Sequence, residues 1–98
     1  MMAKYKPKWV KTKDSNHTEI TDALEKVGCT VYDASEFGDG FPDIVVGRLG
    51  RCYLLEIKSS RKAKLNPEQR KFQKWWRGHF AVVRSPMEAL QAVGAVSG

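Results

Sequence analysis

The sequence predicts an α/β protein in which helices flank a mixed β-sheet, with elements in the order α-β-β-β-α-β-α. Three observations carry that prediction. Short runs rich in β-branched and aromatic residues alternate with segments whose apolar residues recur at helical spacing. Two of those runs flank Leu49-Gly50, as the arms of a hairpin would. Asn66-Pro67 with Gln69, and Ser85-Pro86 with Glu88, each write a helix start: a capping side chain, a proline at the first helical position and a capping-box partner.

The elements follow in order. Ile20, Ala23, Leu24 and Val27 predict a first helix over about Thr18 to Val27, stopped by Gly28. "CTVYDAS" reads as a strand, and "EFGDGFP" as a loop in which Gly38 and Gly40 permit backbone that other residues resist. The stretch "GFPDIVVGRLGRCYLLEIK" then forms the hairpin, with Leu49 and Gly50 in a type I or II turn. "SSRKAKL" is a basic loop. The second helix starts at Asn66 and takes its apolar face from Phe72, Trp75 and Trp76, with the two tryptophans assigned to a core or a subunit contact rather than to base stacking. "FAVVR" is the last strand, and a short helix carries Leu90 and Val93.

At 98 residues the chain has the length of one domain. The expected division is a basic arm over residues 1–15, with five lysines interleaved with Tyr5 and Trp9, and one folded unit over residues 16–98. The arm is either a partner-binding segment or a solubilising tail. Seventeen Lys and Arg against eleven Asp and Glu give a net charge of +6, which favours a polyanionic partner, nucleic acid before membrane. No apolar run is long enough to span a bilayer and the basic N-terminus lacks the apolar core of a signal peptide, so an intracellular location is expected. Cys29 and Cys52 have no metal-type neighbours and read as small buried residues, while His17 and His79 read as a helix-start and a loop residue.

The charges at the open end of the hairpin carry the chemistry. A two-residue loop at Leu49-Gly50 pairs Arg48 with Arg51 and, further out, Asp43 with Glu56, whereas a three-residue loop or a bulge makes the two acids diagonal neighbours, still within reach of one ion. Side-chain alternation then puts Asp43, Glu56 and Lys58 on one face. Two facing carboxylates repel unless a proton or a cation lies between them. Lys58 alone would make a structural ion pair. An oxygen-only donor set also suits Mg²⁺, for which Mn²⁺ substitutes, and such an ion beside a lysine fits phosphodiester hydrolysis.

With "PD" at Pro42-Asp43 followed after twelve residues by "EIK" at Glu56-Lys58, the sequence resembles the PD-(D/E)XK nuclease superfamily. It is most similar to the VRR-NUC branch over roughly residues 16–95, through "GFPDIVVGRLGRCYLLEIKSSRKAKLNPEQRKF" and "VVRSPMEAL". The resemblance implies a restriction-endonuclease-like core. It further implies a divalent ion held by Asp43, Glu56, the carbonyl of Ile57 and Glu19, with Lys58 and Gln69 completing the catalytic group. Glu19 with Asn16, and Gln69 with Asn66, can instead be capping boxes. Arg61, Lys62 and Lys64 after the strand, and Arg70, Lys71, Lys74 and Arg77 on the helix, are candidate DNA-phosphate contacts or ordinary surface charge.

A VRR-NUC-like chain this short resembles the small stand-alone phage and bacterial members that are like Holliday junction resolvases. The resemblance therefore implies a Mg²⁺-dependent endonuclease acting on branched DNA as a homodimer in the cytoplasm of a bacterial or phage-infected cell. The alternatives are a monomeric nuclease of flaps, single strands or duplex, and a DNA-binding module without catalysis.

Overall fold

The computed structural model describes residues 15–96. The arm expected over residues 1–15 lies outside them, apart from Ser15, with which the first helix begins. The elements are α1 (Ser15–Lys26), β1 (Thr30–Asp33), β2 (Ile44–Arg48), β3 (Arg51–Ile57), α2 (Pro67–Trp75), β4 (His79–Val83) and α3 (Pro86–Ala92). Their order is the expected one. The sheet runs β1-β2-β3-β4, antiparallel through β3, with β4 parallel to β3. That last pairing needs a crossover, which α2 supplies.

Alternation along the strands sorts the two faces. Ile44 and Val46 of β2, Tyr53 and Leu55 of β3, and Val83 of β4 join Ile20 and Leu24 of α1 and Ala89 and Val93 of α3 in one buried cluster. The intervening residues of β3 and β4 look the other way: Leu54 lies beside Phe80, which meets Phe72 of α2. The sheet is thus covered by α1 and α3 on one face and by α2 on the other. None of the residues of α2 is buried.

The hairpin register is the expected one, Arg48 opposite Arg51 and Ile44 opposite Leu55. Its turn is not. Leu49 at φ 50° and Gly50 at φ 78° are both left-handed, which makes a type I′ turn in place of the type I or II expected. The physical reason is twist, since I′ geometry matches the right-handed twist of the two arms and types I and II splay them. Leu49 is 82% exposed, so nothing in its surroundings offsets its strained backbone. Leu49→Asn is expected to raise the unfolding free energy by about 1 kcal/mol in a denaturant titration, with an unchanged m-value, because Asn tolerates this conformation.

Local signals account for the helix ends. At α2 the Asn66 side chain accepts from the Gln69 N–H and the Gln69 side chain accepts from the Asn66 N–H, closing the capping box. At α3 Ser85 accepts from the Glu88 N–H, but Glu88 takes the N–H of Arg84, one residue further back than a capping box requires. Helix α1 starts earlier than Thr18 and stops at Lys26, leaving Val27 exposed. Cys29 is buried as expected, whereas Cys52 is exposed, and both are free thiols. His17 lies in the first turn of α1, as expected, and is buried there, whereas His79 opens β4 against the ring of Tyr53 in place of the loop expected.

Candidate active site

The site forms where β2 begins and β3 ends. Asp43 precedes Ile44, and its Oδ2 accepts the Ile57 N–H at 2.8 Å, which carries the hairpin pairing past the last ladder residue. That bond holds the Asp43 carboxylate beside Glu56. Glu56 is 3% exposed although it is an acid. Its Oε2 lies 3.3 Å from Lys58 Nζ and accepts from Gln69 Nε2 at 3.0 Å. Lys58 Nζ in turn donates to Gln69 Oε1 at 3.1 Å. Asp43, Glu56, Lys58 and Gln69 are therefore one connected group.

Gln69 holds both places that the sequence allows it. Its Oε1 accepts the Asn66 N–H, which starts α2, and the Lys58 ammonium, which belongs to the site. Helix initiation and the site share one side chain. The helix start thereby fixes the height at which Gln69 meets Glu56.

Electrostatically the group carries unrelieved negative charge. Burial first, and then the Asp43 carboxylate, push the Glu56 carboxyl up to about 7, while Lys58 pulls the other way. An ammonium 3.3 Å from Glu56 does not bring it back to the ordinary carboxylate range. The upward push comes mainly from burial, and the second carboxylate adds to it. The donor chemistry, two carboxylates with no His or Cys, fits a hard divalent cation that keeps most of its water.

The other expected residues are placed less uniformly. Ile57 ends β3 with its N–H on Asp43. Glu19 is exposed on α1, and among the described residues no three His, Cys, Asp or Glu side chains are grouped to hold a metal ion. Glu19 is thus not grouped with the acidic pair in this arrangement of side chains. Helix α1 includes Ser15, so Asn16 sits inside its first turn rather than capping it. Asn16 Nδ2 donates to the Lys58 carbonyl at 3.3 Å and ties α1 to the end of β3. Arg61, Lys62 and Lys64 are exposed on the loop after β3, and Arg70, Lys71 and Lys74 are exposed on α2.

Three supports hold the site, the first two of them not anticipated. Arg84 donates from Nε to the Ser60 carbonyl at 3.0 Å and from Nη2 to the Ala63 carbonyl at 3.1 Å, bracing the basic loop from the far end of β4. No local pattern announces such a contact. Asp33 Oδ1 accepts from the backbone and hydroxyl of Ser35, and its Oδ2 lies 3.9 Å from Nε2 of the buried His17. With the Ala34 N–H donating to the Asp43 carbonyl, this cluster anchors the loop that delivers Asp43. The third support is Gly40, at φ 82°, where a Cβ would collide with the Glu68 carbonyl and crowd the Gln69 nitrogen.

Gly40 therefore sets how closely the loop approaches the start of α2. Gly40→Ala and Gly38→Ala should each carry left-handed strain of about 1 kcal/mol. Gly40→Ala should cost clearly more in thermal unfolding, because a Cβ at Gly38 meets nothing within 4 Å. An equal cost for both would show that the close approach is unimportant.

Comparisons with family models and with curated proteins find no match. Among solved structures, one described as "VRR_NUC domain" superposes with a TM-score of 0.67, covering 78% of this chain and 87% of that one at 23% sequence identity. The superposition takes in most of the four-stranded mixed sheet and three helices of this chain. The fold of this chain is that of a VRR_NUC domain, an α/β fold with a restriction-endonuclease-like core.

Proposed function

We propose that the protein is a divalent-metal-dependent, structure-selective DNA endonuclease that hydrolyses phosphodiester bonds, with four-way junctions as substrate and a homodimer as the working form. The observation that carries this reading is the connected group of Asp43, Glu56, Lys58 and Gln69, with negative charge in excess of its one cation. Asp43 and Glu56 would hold Mg²⁺ or Mn²⁺, joined by the Ile57 carbonyl. When bound, such an ion lowers the pKa of a coordinated water and offsets charge on the phosphate.

The chain's own groups do the rest. Lys58, kept in place by Glu56 and Gln69, presents an ammonium where a phosphate oxygen gains charge in the transition state. Gln69 gives the lysine a neutral acceptor beside its Glu56 partner, which fixes the direction of the ammonium. The exposed Arg61, Lys62 and Lys64 on the loop after β3, and Arg70, Lys71 and Lys74 on α2, offer positive charge suited to a DNA backbone. Homodimer formation follows from need: one chain carries one such group, and two symmetric cuts across a junction require two.

Cleavage of matched duplex, flap and four-way junction DNA with Mg²⁺ or Mn²⁺ tests the proposal. The wild type should nick junctions in a metal-dependent way, and Asp43→Ala and Lys58→Ala should not. Preference for flaps, or a strictly monomeric mass in solution, would replace the junction reading with a monomeric nuclease. Junction binding without turnover would leave a DNA-binding module.

A further inference from the structure

A row of aromatic rings runs from the loop before Asp43 onto α2, and much of it faces solvent. Phe37 and Phe41 have ring centroids 5.2 Å apart, Phe41 and Phe72 5.4 Å, and Phe72 and Trp75 5.8 Å. Trp76 stacks on Phe72 at 5.7 Å. The two ends of the row are open: Phe37 is 58% exposed and Trp75 68% exposed. Of the two places expected for Trp75, a core or a subunit contact, its exposure removes the core.

This row belongs to the catalytic neighbourhood. Phe41 stands two residues before Asp43 and Phe72 three residues after Gln69, so the rings sit on the α2 side of the sheet with the carboxylate group. Charge alongside the row narrows what can cover it. Exposed Arg70, Lys71 and Lys74 flank Phe72 and Trp75 on the same helix, with Arg77 just beyond. A second copy of α2 laid on this face would bring like charges together. A polyanion with flat apolar faces would meet the rings and the cations at once.

We infer that the row formed by Phe37, Phe41, Phe72 and Trp75 is a stacking platform for unpaired DNA bases beside the scissile phosphate. The inference rests on the nuclease reading and deepens it, by giving the site a preference for DNA whose strands part near the cut. Trp75 lies six residues beyond Gln69, which at a helical rise of about 1.5 Å puts it roughly 9 Å along α2. The exposed ring therefore serves a base beyond the nucleotide at the cut. Base stacking on an aromatic tolerates any sequence, which suits a site that reads structure.

The test is equilibrium binding of the full chain in Ca²⁺ to a splayed-arm DNA and to a fully paired duplex of equal length and sequence. Phe37→Ala and Trp75→Ala should each lower the ratio of splayed-arm to duplex affinity by roughly 5- to 100-fold, the size of one lost base stack. Trp75→Phe, which keeps a ring, should retain most of the ratio. Shortening the single strand from three nucleotides to one should cost the wild type what Trp75→Ala loses. An unchanged ratio in both alanine variants overturns the inference, as does a loss of self-association with the ratio intact, which would make the row a contact between copies. Because binding is read without turnover, failure of the nuclease reading shows separately, as absent Mg²⁺-dependent cleavage with the stacking preference intact.

Discussion

Glu56→Gln is expected to abolish cleavage and yet make the metal-free protein more stable at pH 8. The loss in rate should be at least roughly 10²- to 10³-fold, the scale of removing one electrostatic element from a reaction centre. Here the removed group would also be a metal ligand, so added Mg²⁺ should not rescue the variant. The gain in stability has a separate origin. Burial and the neighbouring Asp43 disfavour the ionised carboxylate even with Lys58 at 3.3 Å, and glutamine keeps the shape without the charge. Thermal unfolding in EDTA should show stabilisation on the order of 1–3 kcal/mol at pH 8 and almost none at pH 4. A Glu56 that served only the fold would give the opposite result, a destabilised variant with unaltered cleavage.

The stability of the metal-free wild type should fall as pH rises, and a divalent ion should cancel the fall. Glu56 has a pKa near 7 in the fold against an ordinary value of 4.5, so the folded chain binds more protons than the unfolded chain between those limits. This contribution is fully present below about pH 4.5 and is lost as pH rises through about 7. Its full size is on the order of 3 kcal/mol, read as a lower melting temperature at pH 8 than Glu56→Gln shows. A cation that binds only the folded state offsets the loss by mass action, and its apparent affinity should rise about tenfold per pH unit below pH 7. A melting temperature that is flat with pH in EDTA, or that ignores Mg²⁺ at pH 8, would remove the electrostatic case for a metal at this pair.

Both predictions rest on residues that could be placed from sequence, and the reason is local. Asp43 and Glu56 belong to one hairpin, and a two-residue loop leaves a single pairing consistent with the alternation of Ile44, Val46, Tyr53 and Leu55. Lys58 follows on the same face by the period of a strand. Gln69 was legible in type and spacing, though not in its double role. That role needs α2 to cross the sheet and lower its first turn onto Glu56, a distance no spacing rule reports. The turn type also escaped, because Leu49 gives no signal for positive φ and the twist of the two arms imposes it.

Charge, element order and the acidic strand end were thus determined by the sequence alone, since each depends on residues close in the chain or on a period of two or about 3.6. Tertiary packing decided the rest. It turned Asn16 to the Lys58 carbonyl and left Glu19 on the surface, brought Arg84 to the loop it braces, and seated Gly40 under the start of α2. It also left Trp75 in solvent, although helical spacing assigned it to an apolar face. Helical periodicity says which residues share a side, but what covers that side is set by elements far away in the chain. At α2 those elements stop short, and an aromatic row stays open beside the carboxylates.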